Sequence, residues 1–211
     1  MRLLKVQGKG RVSVEPDLVT LSFEVETKAG DYAECLQNLN ARAEDLRASM
    51  TAAGLDRADL KTSDFSVRVD TQYKDGRHMF VGYRASHNMR IELPVDKELL
   101  NRTLRHIARG HSGAEISLVF SVKDSDALRQ RVLMEAVRIA KSNAEVLASA
   151  AGMSLGKLQQ IDYGWVEVRI HNREAGMVCN GPGLVADCDV DIEPEDVTAE
   201  DNVTLVYEIS D

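Results

Sequence analysis

The chain has 211 residues and a mass of 23.3 kDa, enough for one large domain or two small ones around a sizeable core. Its 34 acidic and 26 basic residues give a formal net charge of -8, which excludes a sequence-independent grip on nucleic acid or on an anionic membrane, since both need a basic face. Three cysteines cannot build a disulfide framework, and no apolar run approaches the length of a transmembrane span. The opening Met1-Arg2-Leu3-Leu4-Lys5 holds no signal-peptide core, so the expected compartment is the cytoplasm.

In chain order, residues 4–7 form a short strand that Gly8-Lys9-Gly10 is expected to interrupt with a bend or bulge. The two glycines do not make a phosphate loop, because no Gly-Lys-Ser/Thr follows and the next segment is a strand. Val12 and Val14 lead to Glu15-Pro16-Asp17, where proline cannot donate to a ladder; Val19, Leu21, Phe23 and Val25 then alternate with polar residues. Asp31 opens a helix that ends at Gly54, with an apolar stripe of Tyr32, Leu36, Leu39, Ala43, Leu46, Met50 and Ala53. Cys35 lies beside the stripe and reads as a small packing residue.

Residues 61–93 form the longest patterned stretch. Phe65, Val67, Val69, Thr71 and Tyr73 alternate with Ser66, Arg68, Asp70 and Gln72. After Lys74-Asp75-Gly76, Met79, Val81, Tyr83, Ala85, Met89, Ile91 and Leu93 alternate with polar positions. Such a period means two half-buried antiparallel strands. A two-residue turn would set the apolar face of one arm against the polar face of the other, so a three-residue loop with Gly76 in the left-handed conformation is expected. A compensating bulge in one arm is the alternative. Phe80 breaks the pattern by falling in the polar set near the tip, and His87 falls on the apolar face as a core histidine.

A shorter helix spans residues 97–109, with Leu100, Leu104, Ile107 and Ala108 inward and Gly110 at its end. Ala114, Ile116, Leu118, Phe120 and Val122 alternate in the next strand. Ser125 or Asp126 caps a long helix reaching Ala151-Gly152, whose inner line of Val132, Ala136, Ala140, Ala144, Leu147 and Ala151 permits close approach to a sheet or another helix. A strand over 158–170 changes phase near Gly164-Trp165, and Val203, Leu205, Tyr207 and Ile209 close the chain. Between them, residues 171–197 have little periodicity and read as an acidic loop or insertion. The architecture expected is α+β: one domain over 1–211, with antiparallel sheet, a long hairpin and two long helices packed on one face.

The order of these pieces resembles the SIMPL domain family, also called DUF541. The resemblance rests on Gly8-Lys9-Gly10, Val14-Glu15-Pro16-Asp17, Thr62-Ser63-Asp64-Phe65-Ser66-Val67, Gly82-Tyr83-Arg84-Ala85-Ser86, Ala151-Gly152, Leu155-Gly156 and Ile192-Glu193-Pro194-Glu195. It implies an α+β protein that assembles into large rings, with roles in envelope biology, stress tolerance or signalling. It implies no catalytic residues and no cofactor.

Two candidate sites follow. His171, Cys179 and Cys188, with Asp187, Asp189 and Asp191, carry donors a transition metal accepts, although their spacing fits no standard zinc or EF-hand pattern. They would serve a metal-binding protein or a hydrolytic enzyme. Tyr73 and Phe80 at the hairpin tip would serve a homo-oligomer interface, because aromatic area left in water calls for a cover. The expected function is a non-catalytic, self-assembling binding or scaffold protein.

Overall fold

The computed structural model describes residues 2–74, 76–164 and 192–211, and the backbone alone of 169–171 and 175–177. The elements are β1 (Arg2–Val14), β2 (Leu18–Ala29), α1 (Tyr32–Ala52), a 3-10 turn (Arg57–Asp59), β3 (Lys61–Lys74), β4 (Arg77–Pro94), α2 (Lys97–Arg109), β5 (Glu115–Ser121), α3 (Ser125–Ala150), β6 (Ser154–Asp162), β7 (Arg169–His171), β8 (Ala175–Met177) and β9 (Val197–Ser210). The class is α+β, with every strand pairing antiparallel. The chain forms two compact units, one of residues 1–16, 122–172 and 195–211, the other of 17–121 and 173–194.

In the first unit the sheet has the order β1-β9-β6, with β7 also paired to β9. β1 runs unbroken along β9, Gly8 opposite Val203 and Gly10 opposite Asp201, which corrects the expected interruption. The glycines serve proximity rather than bending. A Cβ on Gly8 would overlap the carbonyl oxygen of Ala136 and lie 2.8 Å from the Ala140 Cβ. One on Gly10 would overlap the carbonyl oxygen of Val132 and lie 2.7 Å from the Ala136 nitrogen. α3 therefore lies against β1 at backbone distance, as its small-sided line foretells. That line steps by fours through Leu128, Val132, Ala136, Ala140, Ala144 and Ala148. Leu147 and Ala151, expected inside, are exposed. The cap is Asp124, whose carboxylate accepts from the Ala127 nitrogen at 2.8 Å, one residue before the expected cap.

β9 begins at Val197, earlier than the pattern shows, because Asp201 interrupts the apolar alternation while pointing inward. The Tyr163 hydroxyl donates to its Oδ2 at 3.1 Å and the Asn202 nitrogen to its Oδ1 at 2.7 Å, which makes a buried carboxylate tolerable there. The strand expected over 158–170 instead starts at Ser154 and stops at Asp162, and its irregularities fall between Leu155 and Gln160. Trp165, where the phase change was expected, lies outside the described residues.

In the second unit the order is β3-β4-β2-β5-β8. α1, capped by Asp31, and α2, capped by Asp96, bury Leu39, Leu46, Met50, Leu100, Leu104 and Ile107 against Leu21, Phe23, Met89, Ile91 and Leu118. Each large side chain removed from water in this way contributes about 1.5–3 kcal/mol. Cys35 is fully buried in the same core, its Sγ 3.4 Å from the Tyr83 carbonyl oxygen. β8 gives strand structure within the stretch expected to be an irregular loop, pairing Met177 with Ile116. β3 is the outer strand of this sheet.

Candidate functional site: an uncovered hairpin face

β3 and β4 form a hairpin whose far strand extends beyond the helical cover, since α1 packs over β2 and β4. The register is Lys74 with Arg77 and Tyr73 with His78, leaving two residues between the arms. The three-residue loop is thus corrected in favour of its alternative, a compensating bulge. Asp70 faces Gly82 while Thr71 faces Phe80, so Val81 is the extra residue on β4. Gly82 adopts φ 144 there, and Gly76 adopts φ 78 in the left-handed region expected of it. Below the bulge Val69 faces Tyr83, Val67 faces Ala85 and Phe65 faces His87, so the apolar positions again meet.

The bulge also decides where Phe80 points. By unbroken alternation it belongs with Arg84 and Asn88, but the inserted residue turns it to the side of Tyr83, 5.4 Å away edge to face. Tyr83 stacks in the same manner on Tyr32 at the start of α1, also at 5.4 Å. Tyr73 contacts His78 at 5.1 Å and Phe65 contacts His87 at 5.5 Å. Tyr73 and Phe80, singled out from the sequence, therefore share one face with Phe65, Val69, Tyr83 and Tyr32. The sequence pattern placed Phe65, Val69 and Tyr73 in the core; they are 49%, 58% and 67% exposed, and Phe80 is 57% exposed. Arg84 offers Phe80 no cover, because its guanidinium turns to Glu26 at 3.3 Å and Asp70 at 3.5 Å. The one advance sign of this face was Gly82, a glycine inside a strand pattern, which marks a bulge.

At the inner end of the face His87 is buried. Its Nε2 lies 2.9 Å from the Thr62 hydroxyl, and its Nδ1 has no partner among the described residues. Burial, and secondarily the charge of Arg47, hold its pKa below the usual imidazole range. A hydroxyl touching an imidazole is formally a nucleophile and base. Catalysis, however, requires a stabilised imidazolium, normally through a carboxylate at the other ring nitrogen. Here burial and an arginine oppose that charge, and no carboxylate among the described residues meets the other ring nitrogen; the contact joins β3 to β4.

Three open grooves of about 330, 520 and 540 Å³ lie elsewhere, lined by surface side chains such as Lys97, Glu98 and Arg102, or Arg11, Glu135 and Arg138, or Glu26, Asn38 and Arg42. Among the described residues no cluster of three or more His, Cys, Asp or Glu is placed to hold a metal. Of the proposed metal donors, His171 lies on β7 opposite Thr198. Cys179, Asp187, Cys188, Asp189 and Asp191 lie outside the described residues. No helix of the described residues is long and apolar enough to cross a membrane.

With this geometry in view, the family profile SIMPL, described as "Protein of unknown function (DUF541)", matches residues 4–207. The chain belongs to the SIMPL family. Among SIMPL relatives, it is 28% identical over 158 residues to "Uncharacterized protein YggE" of Edwardsiella ictaluri, covering 74% of this chain and 65% of that protein. It is 25% identical over 157 residues to the YggE protein of Escherichia coli K12, covering 74% and 63%. It is 25% identical over 167 residues to the "26 kDa periplasmic immunogenic protein" of Brucella melitensis, covering 75% and 65%. The matched region spans just under two thirds of the length of these relatives.

Proposed function

We propose that this SIMPL-family protein is a non-catalytic, self-assembling binding or scaffold protein, and that its copies dock through the uncovered β3–β4 face. The observation that carries the reading is that face: Phe65, Val69, Tyr73 and Phe80 are all about half exposed or more on one side of the β3–β4 hairpin. Contiguous apolar area of this kind is a mark of an association surface. A role in stress tolerance or signalling, as the family resemblance implies, would act through that assembly. Two relatives named periplasmic support the cell envelope as the compartment, against the cytoplasm expected from the opening residues; fractionation of cells expressing the full chain tests this.

Light scattering tests the assembly. The wild type is expected above the 23.3 kDa of one chain. Phe80→Ser is expected to lower the assembled mass while the circular dichroism and the melting curve stay those of the wild type. A wild type that runs as one chain, or a Phe80→Ser protein that assembles normally, contradicts the reading.

A further inference from the structure

We infer that two copies of this chain join edge to edge through β3, antiparallel about a two-fold axis at Val69, so that their sheets become one. The inference rests on the self-assembly reading and adds to the face a second contact, at the strand edge that borders it. Among the described residues β3 is the terminal strand of its sheet, and half of the backbone groups of such a strand lack a ladder partner. Folded proteins usually blunt such an edge with charged side chains, proline, a bulge or a covering element, and β3 from Asp64 on carries only the charges. Residues 64–74 contain no proline or glycine and pair with β4 without an inserted residue of their own. The irregularity after Thr62 lies before this run, and the one at Val81 lies on the opposite strand. The free run is therefore bounded by a bulge at one end and the turn at the other, and its midpoint is Val69.

Sequence on that run is complementary to itself about that midpoint. Antiparallel pairing about Val69 sets Phe65 against Tyr73, Val67 against Thr71 and Val69 against its own copy, all on the uncovered face. On the opposite face it sets Arg68 against Asp70, Asp64 against Lys74 and Ser66 against Gln72. Every charged residue of the run thus meets an opposite charge, twice over by symmetry, which is the self-complementarity an isologous interface requires. Neighbouring registers fail. An axis at Arg68 would bring the two arginines together, and an axis at Val67 would set Asp64 against Asp70. Asp64, Arg68 and Lys74 make no ion pair within the described residues, so their charges are available; Asp70 has Arg84 at 3.5 Å. A two-fold axis normal to the sheet keeps the two apolar faces on one side, where Phe80 and Tyr83 extend the same floor.

Cysteine cross-linking reads the register directly, in a Cys179→Ser, Cys188→Ser background with Cys35 buried. Residues opposite each other in an antiparallel pair have Cα atoms about 4.5–5.5 Å apart, within disulfide reach. Val69→Cys is expected to form a disulfide-linked dimer under mild oxidation. Val67→Cys alone should not, because its own copy lies about 13 Å away, four residues along the strand; an equimolar mixture of Val67→Cys and Thr71→Cys should. Asp64→Lys should raise the dissociation constant of the dimer about tenfold or more, and adding Lys74→Asp should restore it. Circular dichroism confirms that each variant is folded. An assembled wild type in which Val69→Cys fails to link and Asp64→Lys has no effect overturns the pairing and leaves self-assembly standing. Self-linking of Val67→Cys as readily as Val69→Cys overturns the register. A wild type that is one chain in solution overturns both.

Discussion

β1 and β3 are both long edge strands, and the protein treats them oppositely. β1 is covered on its inner face by α3, with Val6 buried and Gly8 and Gly10 admitting the helix backbone. Its outer face carries Lys5, Lys9 and Arg11, paired with Asp162 at 3.9 Å and with Glu200 at 2.6 and 3.6 Å, and Arg2 at its start pairs with Asp211 at 2.6 Å. Among the described residues no such helical lid lies over β3: Phe65, Val69 and Tyr73 are about half exposed or more, and only Val67 packs against the core. Both strands set small or apolar residues against polar ones, β3 more regularly than the glycine-bearing β1. What separates them is whether a helix from elsewhere in the chain reaches them, and alternation does not encode that. An apolar strand face does not by itself encode what covers it.

The largest effect should come from the covered edge. Gly10→Val puts side-chain atoms into the α3 backbone, and the cost should be roughly 3 kcal/mol or more, read as loss of the folded state or a large drop in urea midpoint. In the second unit Leu39→Ala should cost about 2–5 kcal/mol, as truncation in a packed core does. Asn40→Ala, exposed on the same helix, should stay within about 0.5 kcal/mol. Arg42→Ala is a less silent control than the stripe suggests: its guanidinium donates to the Glu26 carbonyl at 3.0 Å, and its loss should cost about 0.5–1.5 kcal/mol. Phe65→Ser and Val69→Ser should cost less than about 1 kcal/mol in dilute protein, despite being large-to-small changes in a strand. Core-sized losses at those positions would mean that β3 is covered within the subunit, and the contrast between the edges would fail.

The smallest effect sharpens how β3 is held. His87 is buried with its pKa below the unfolded value of about 6.5. Unfolding therefore takes up a proton that the native imidazole refuses. The stability this neutral ring supports is present above about pH 6.5 and is lost as pH falls toward its folded pKa, with a slope of at most about 1.4 kcal/mol per pH unit. Urea melts from pH 7.5 to 5.5 should show that slope in the wild type and a shallower one in His87→Gln. Parallel curves would place the titration elsewhere.

Much of this architecture is legible in the sequence. The three helices appear within a residue or two, because their stripes and aspartate caps are local signals. The β2, β4 and β5 alternation is equally clear, since those strands lie under helices that match them. The errors have common physical causes. Gly8 and Gly10 read as a break because a glycine needed for close packing looks the same as one needed for a bend. Asp201 concealed the first half of β9, since a carboxylate satisfied by Tyr163 cannot be distinguished in sequence from a solvated one. The hairpin turn was misjudged by assuming that parity is kept by loop length, when a bulge beside Gly82 keeps it instead. That same bulge moved Phe80 from the charged face to the aromatic one. Phe80 stands out by its incongruity and Tyr73 by its place beside it at the hairpin tip; Phe65 and Val69 do not stand out, because they fit a buried pattern.

Hydrogen–deuterium exchange on the wild type, at a concentration where it is assembled and again after dilution, compares the two edges in one experiment. If β3 is the open edge that a second copy closes, the amides of residues 64–74 should exchange more slowly in the assembled sample, and those of β1 should be the same in both. Added protection on β1 with none on β3 would contradict the account.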